Sequence, residues 1–339
     1  MRDGVPVGSY KTMLNVAAKN NDLLNKCAGV LSKLLGVEKI SYQDFYALPK
    51  SYSRAFPINE AFEIILDALK PMGKEFIDKA KEEIVKPTMH LVPLPEKRTF
   101  YANQMPIAGM PSYTMLTYRG TFPELRALMG VVAQKVRFAN MPKEDCPDTR
   151  DDPPIYGNGM LYVTEMLLGD YLVEKAKTKE EKLFYLHQAL FRLWQHNFSE
   201  VTNAELDAAI QQMVINNNPP GGEKISETYY QLLRKRYGNI NVDSVFANEW
   251  MANSVPFQSY EGQFFVPAMA ASCIAYENIK KGKPGANKII TESLMGKGET
   301  DLSYDMFKTV GIDLAEEETY QAMYDRMNYL LDEIQKLLK

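Results

Sequence analysis

Asn59-Glu60-Ala61-Phe62-Glu63-Ile64-Ile65-Leu66-Asp67-Ala68-Leu69-Lys70 decides the fold class. Phe62, Ile65, Leu66 and Leu69 recur at i, i+3, i+4 and i+7 with charges between them, the spacing that lines one face of an α-helix. Such a face needs an apolar partner. Outward from it, the same periodicity predicts helices near residues 9–35, 71–84, 122–139, 158–176, 179–213, 225–237, 242–253 and 263–281. At the C-terminus Met323, Leu330 and Leu337 repeat every seven residues with Met327 and Ile334 between them, a stripe short enough to be covered within its own chain.

The pattern is mostly α. Its exception runs from Arg98 to Tyr118, where Pro106, Gly109 and Pro111 punctuate Thr99-Phe100-Tyr101 and Tyr113 to Tyr118, both rich in β-branched or aromatic residues. A small β-sheet near residues 98–119 is expected. Met141–Pro154 and Asn216–Glu223 read as loops from their proline, glycine, asparagine and acidic content. Neither is long enough to divide the chain, so residues 1–339 are expected to form a single domain, divisible at most into sub-lobes 1–96 and 97–339.

Composition narrows the function. With 43 acidic and 39 basic residues the formal charge is −4, which gives no field to attract nucleic acid or an anionic membrane surface. No apolar run reaches the roughly 20 residues of a membrane span, and Met1-Arg2-Asp3-Gly4 has no secretory core, so a cytoplasmic location is expected. Cys27, Cys146 and Cys273 are too scattered for a disulfide framework or a Cys-x-x-Cys metal site.

Several segments, in order, resemble the catalytic region of the oligoendopeptidase F and thimet-oligopeptidase-like zinc peptidases. Leu34-Leu35-Gly36-Val37 with Gln43-Asp44-Phe45-Tyr46 is similar to a Leu-Gly turn and Tyr-Asp-Leu-Tyr stretch of that family. Asn59-Glu60-Ala61 and Leu69 to Phe76 resemble the helix pair before its zinc helix, and Tyr113 to Tyr118 the edge strand beside its substrate. Further on, Leu161 to Met166 looks like the segment supplying the third metal ligand, Gln195-His196-Asn197-Phe198-Ser199-Glu200 like a Gln-Thr-Met-Phe-Ala-Glu helix, and Glu249-Trp250 like a Glu-Trp pair. Leu294-Met295-Gly296 and Val310 to Leu314 resemble its closing turns. The resemblance implies a helical zincin-type catalytic domain without the family's N-terminal lobe.

A working member carries His-Glu-x-x-His, whose i, i+4 spacing puts two imidazoles on one helix face while the glutamate activates metal-bound water. This sequence has no such motif: its three histidines are His90, His187 and His196, and none lies four residues from another. In register with the motif stands Ala127-Leu128-Met129-Gly130-Val131-Val132-Ala133-Gln134-Lys135, so the resemblance puts Gly130 and Gln134 at the histidine positions and Val131 at the general base. Glu165 keeps the type of the third ligand. No catalytic residue, metal or cofactor is therefore expected.

Gln134, Glu165, Glu200, Tyr260 and Phe264 are the candidate cleft residues, and His196 with Glu200 forms an i, i+4 pair better suited to a helix surface than to zinc. The expectation is a catalytically inactive relative that binds a peptide or protein partner through the former substrate cleft, the partner being a peptidase-like subunit able to supply the absent lobe. Two alternatives stand beside it: an enzyme with changed, non-zinc or unusual-metal chemistry, in which Glu165, Glu200, Gln134 and Tyr260 form the site and Glu165 or Glu200 has a raised pKa, and a purely structural or regulatory subunit.

Overall fold

A computed structural model describes residues 4–47, 54–97, 103–105, 111–139, 154–252, 262–284, 286 and 302–339. In chain order the elements are α1 (Val7–Lys19), α2 (Leu23–Leu35), α3 (Ile58–Ala68), α4 (Lys74–Val85), β1 (Met89–His90), β2 (Asn103–Met105), β3 (Tyr113–Met115), α5 (Phe122–Ala139) and α6 (Pro154–Lys175). They continue with α7 (Lys179–Trp194), α8 (Glu200–Ile215), α9 (Gly222–Tyr237), α10 (Gly262–Lys280), α11 (Ser303–Thr309) and α12 (Glu317–Leu338). The fold is mostly helical with one small sheet, as the periodicity predicts.

Local chemistry explains the breaks. The helix expected over 9–35 is two helices, because Asn20 turns its amide onto the Val16 carbonyl and closes α1. Gly36 ends α2 in the left-handed conformation at φ +69°, with Val37 N donating to Ser32 O. Over 179–213 the chain stays helical, but Gln195–Ser199 forms a π-turn between α7 and α8. Residues 242–253 form a 3₁₀ segment, Ser244–Ala252. The buried side of α3 is Ala61, Ile64, Ile65, Ala68 and Leu69, rotated from the Phe62/Leu66 stripe. Alanines let a backbone approach closely, which leaves the bulkier Phe62 and Leu66 half-buried at the margin.

The chain divides into two compact units, each built from separated segments. The first comprises Met1–Val5, Tyr52–Lys177 and Ala271–Asp313; the second comprises Pro6–Ser51, Thr178–Ala270 and Leu314–Lys339. Residues 96 and 97 lie together in the first unit, so that position divides neither.

In the first unit α3 and α4 pack against α6 and α5. Its sheet has the order β1-β3-β2, with β1 parallel and β2 antiparallel to β3. β3, expected at the edge, is therefore the inner strand: β1, too short for a sequence signal, occupies its other side. Tyr113–Tyr118 is a strand only to Met115, although Leu116 N and Tyr118 N still donate to His90 O and Leu91 O. Residues 99–101 and residues 141–153 of the expected Met141–Pro154 loop, Cys146 among them, lie outside the described residues, and Pro154 opens α6.

In the second unit Met323, Met327, Leu330 and Ile334 of α12 are buried against α7, α2 and α1, so the C-terminal stripe is covered within the chain. Among the described residues no helix is long and apolar enough to cross a membrane.

Candidate functional site

Gly120 and Glu124 fix where α5 begins. Gly120 has φ +87°, and a Cβ there would stand 3.0 Å from the Phe56 carbonyl oxygen, so a side chain is strained on both counts. Glu124, buried in the first turn, accepts from Arg119 N at 2.6 Å and Thr121 N at 3.0 Å and satisfies amides the helix leaves open.

From that start Arg126, Gly130 and Gln134 follow at four-residue spacing along one face of α5. The neighbouring helix α6 meets this face. Arg126 Nε lies 3.8 Å from Glu165 Oε1, and a Cβ added at Gly130 would stand 2.9 Å from Leu161 Cδ2. Gly130 thus marks a close approach between the helices, one turn from an ion pair whose side chains are 25% and 17% exposed. Val131 is buried in the core, and Gln134 is half-buried.

The donors available decide whether these residues fit the zinc ion that the resemblance implies. Gly130 offers no donor, Gln134 a neutral amide and Val131 no carboxylate, while Glu165 faces a guanidinium rather than two imidazoles. Zinc sites take three or four nitrogen, sulfur or carboxylate ligands. The set does not fit. Among the described residues, no group of three or more His, Cys, Asp or Glu is placed to hold a metal ion.

Lys135, next to Gln134, has another task. Its ammonium is buried, donates to Ser112 O at 2.6 Å and lies 4.0 Å from Glu83, tying the approach to β3 onto α5. Burial lowers its pKa, against the opposing pull of Glu83.

Of the remaining cleft candidates, Glu200 and Phe264 belong to the second unit and Tyr260 lies outside the described residues. Glu200 opens α8 half-buried and accepts from Asn203 Nδ2 at 3.3 Å. Phe264 is half-buried on α10, while Tyr260 is not among the described residues. His196 is buried in the π-turn with its ring 6.4 Å from that of Phe265. His187 is buried on α7, which pushes its pKa down to about 4. His90 is exposed on β1, with Lys97 Nζ 3.0 Å from its Nδ1.

Glu249 is the centre of a cluster that sequence reading noted only as half of a Glu-Trp pair. Its carboxylate accepts from Tyr42 and Tyr46 at 2.7 Å each and from Tyr229 at 3.1 Å. Two further residues escaped sequence reading. Arg126 stands one turn before Gly130, where an i−4 search of the motif face would find it. Asp207 is seven residues after Glu200 on one face of α8, and burial together with the charge of Glu200 pushes its pKa up to about 7. The carboxylate whose pKa the charge of Glu200 helps to raise is thus Asp207, not the expected Glu165, which belongs to α6 in the first unit.

This mostly helical architecture is that of known peptidase structures. No family model matches the chain. It is nevertheless similar to oligopeptidase PepF of Bacillus subtilis strain 168, with 23% identity over 348 aligned positions, across 99% of this chain and 50% of that protein. A Chlamydophila abortus protein described as a peptidase superposes with a TM-score of 0.84 at 22% identity, covering 99% of this chain and 56% of that one. Oligoendopeptidase F from Enterococcus faecium superposes at 0.73 and 19% identity, covering 99% and 54%. The chain spans about half the length of the curated relatives it matches.

Proposed function

We propose that this chain is a non-catalytic relative of the oligoendopeptidases that binds a peptide or protein partner. The observation carrying this reading is the contact between α5 and α6, where Leu161 crowds Gly130 and Arg126 pairs with Glu165. A guanidinium stands beside the retained carboxylate, and a leucine methyl fills space next to the position of the first imidazole. Binding needs no metal; extended peptides are held by main-chain hydrogen bonds and side-chain pockets.

β3 has neighbours on both sides, so an added strand would pair with the outer side of β1 or β2. A peptidase-like partner subunit is part of the same proposal.

The test is metal content by elemental mass spectrometry, together with cleavage of a quenched mixed-peptide library with and without zinc. The expected result is no stoichiometric metal and no cleavage, with peptide binding retained. Zinc at about one per chain with zinc-dependent cleavage would overturn the proposal.

A further inference from the structure

We propose that Glu200, Asn203 and Asp207, on one face of α8, form a site for the guanidinium group of an arginine carried by a peptide. Asn203 and Asp207 are only 4% and 8% exposed, yet Asn203 Oδ1 and Asp207 Oδ2 have no hydrogen-bond partner. Asn203 is directed into the cluster, because its amide nitrogen donates to Glu200 Oε2. Asn203 Oδ1 and Asp207 Oδ2 are therefore acceptors withdrawn from water without a donor, an arrangement that costs free energy until one arrives.

The nearby cation does not supply one. Arg236, on α9, uses its guanidinium on Thr202 Oγ1 and Glu205. Tyr10 of α1 gives its hydroxyl to the Ala204 carbonyl at 2.6 Å. Asp207 holds its proton to about neutral pH, which burial and the charge of Glu200 both favour. A bound cation would reverse that preference.

Spacing selects the kind of cation. Residues 200 and 207 are separated by about 10 Å of helix rise, at about 1.5 Å per residue. A single metal ion would have to gather the three side chains to bond lengths near 2.3–2.6 Å. A guanidinium is planar, carries five donors and can fork onto one carboxylate while reaching a second acceptor. The α-ammonium of a free amino acid would have no assigned place, which favours an arginine within a chain. This inference is independent of whether the protein cleaves peptides.

The experiment is calorimetric titration of the full chain with N-acetyl-arginine amide, its citrulline counterpart, free L-arginine and calcium. Saturable binding of the blocked arginine is expected, at least about ten-fold tighter than citrulline and weakened about ten-fold or more by Asp207→Asn. Thermal unfolding checks that this variant is folded. Glu200→Gln, at a half-exposed position, is the second variant and should also weaken binding. Equal affinity for citrulline, unchanged affinity in both variants, no saturable binding, a ten-fold preference for the free amino acid, or stoichiometric calcium that displaces the arginine would each overturn the proposal.

Discussion

At the scale of single residues, Asp207 couples the molecule to pH. Its folded pKa of about 7 stands above the roughly 3.9 of an unfolded aspartate, so between those values the folded chain holds a proton that the unfolded chain releases. Stability therefore falls as pH rises from about 4 to about 7 and is flat above that, as far as this group is concerned. Asp207→Asn removes the penalty. The charged group acting on it is Glu200 on the same helix; Tyr10 of α1, which senses Asp207 together with the Glu205–Arg236 pair, is neutral throughout this range. The variant should gain on the order of 2–4 kcal/mol over the wild type at pH 8 and almost nothing at pH 4. Urea unfolding at the two pH values measures the difference; an equal gain at both would show that Asp207 is not titrating in this window.

At the scale of elements, the seam between α5 and α6 separates two kinds of glycine substitution. Gly130→Ala brings a Cβ within 2.9 Å of a leucine methyl, which can rotate away, and it also recovers up to about 1 kcal/mol of helix propensity. The two effects nearly cancel, so a change within about 1 kcal/mol is expected. Gly130→His must place a ring where Leu161 already stands and should cost about 1–3 kcal/mol or more by overpacking. Leu161→Ala should recover part of that loss in the double variant, and a double-mutant cycle in urea reads the coupling; purely additive effects would refute the contact.

The Glu249 cluster makes a parallel case. Glu249→Leu would take the carboxylate acceptor from the buried hydroxyls of Tyr42 and Tyr229, leaving Tyr42 the Tyr46 hydroxyl at 3.2 Å, and should cost about 1–3 kcal/mol, against a smaller loss for Tyr46→Phe at a hydroxyl that water can reach. Chemical denaturation of the two variants gives the comparison.

These elements also mark how far sequence reading reaches. Helices with long apolar repeats were legible, and α5 was placed at residues 122–139 by its periodicity alone. β1 was not: two residues carry no alternation to read, and only pairing with β3 makes them a strand. That the residues at 130, 131 and 134 could not hold zinc is legible from their side chains alone. What fills the space beside them depends on Leu161 and Arg126, whose roles arise from helix pairing. Asp207 was hidden for a similar reason, since its shifted pKa comes from burial that composition does not record.

At the scale of the whole molecule, the order of the chain and the order of packing differ. α1 and α2 belong to the second unit, where they pack against α12, about 300 residues away in sequence. Lys26 reaches Asp332 at 2.6 Å and Asn20 pairs with Gln321, while the apolar face of α12 closes between them and α7. α3 and α4 instead belong to the first unit and bury their apolar sides against α6 and α5.

A fragment of residues 1–96 would therefore carry two helix pairs taken from different units, each without the helices that cover it. Isolated helices of 11 to 13 residues are marginal in water, and their stability comes from the packing that the cut removes. The fragment is expected to lose most of its far-UV helical signal, to unfold without a cooperative transition and to exchange its amide protons without measurable protection. A sharp urea transition with protected amides in α3 and α4 would instead establish residues 1–96 as a lobe that folds by itself, and the interleaved assembly of the two units would then not be needed for either to form.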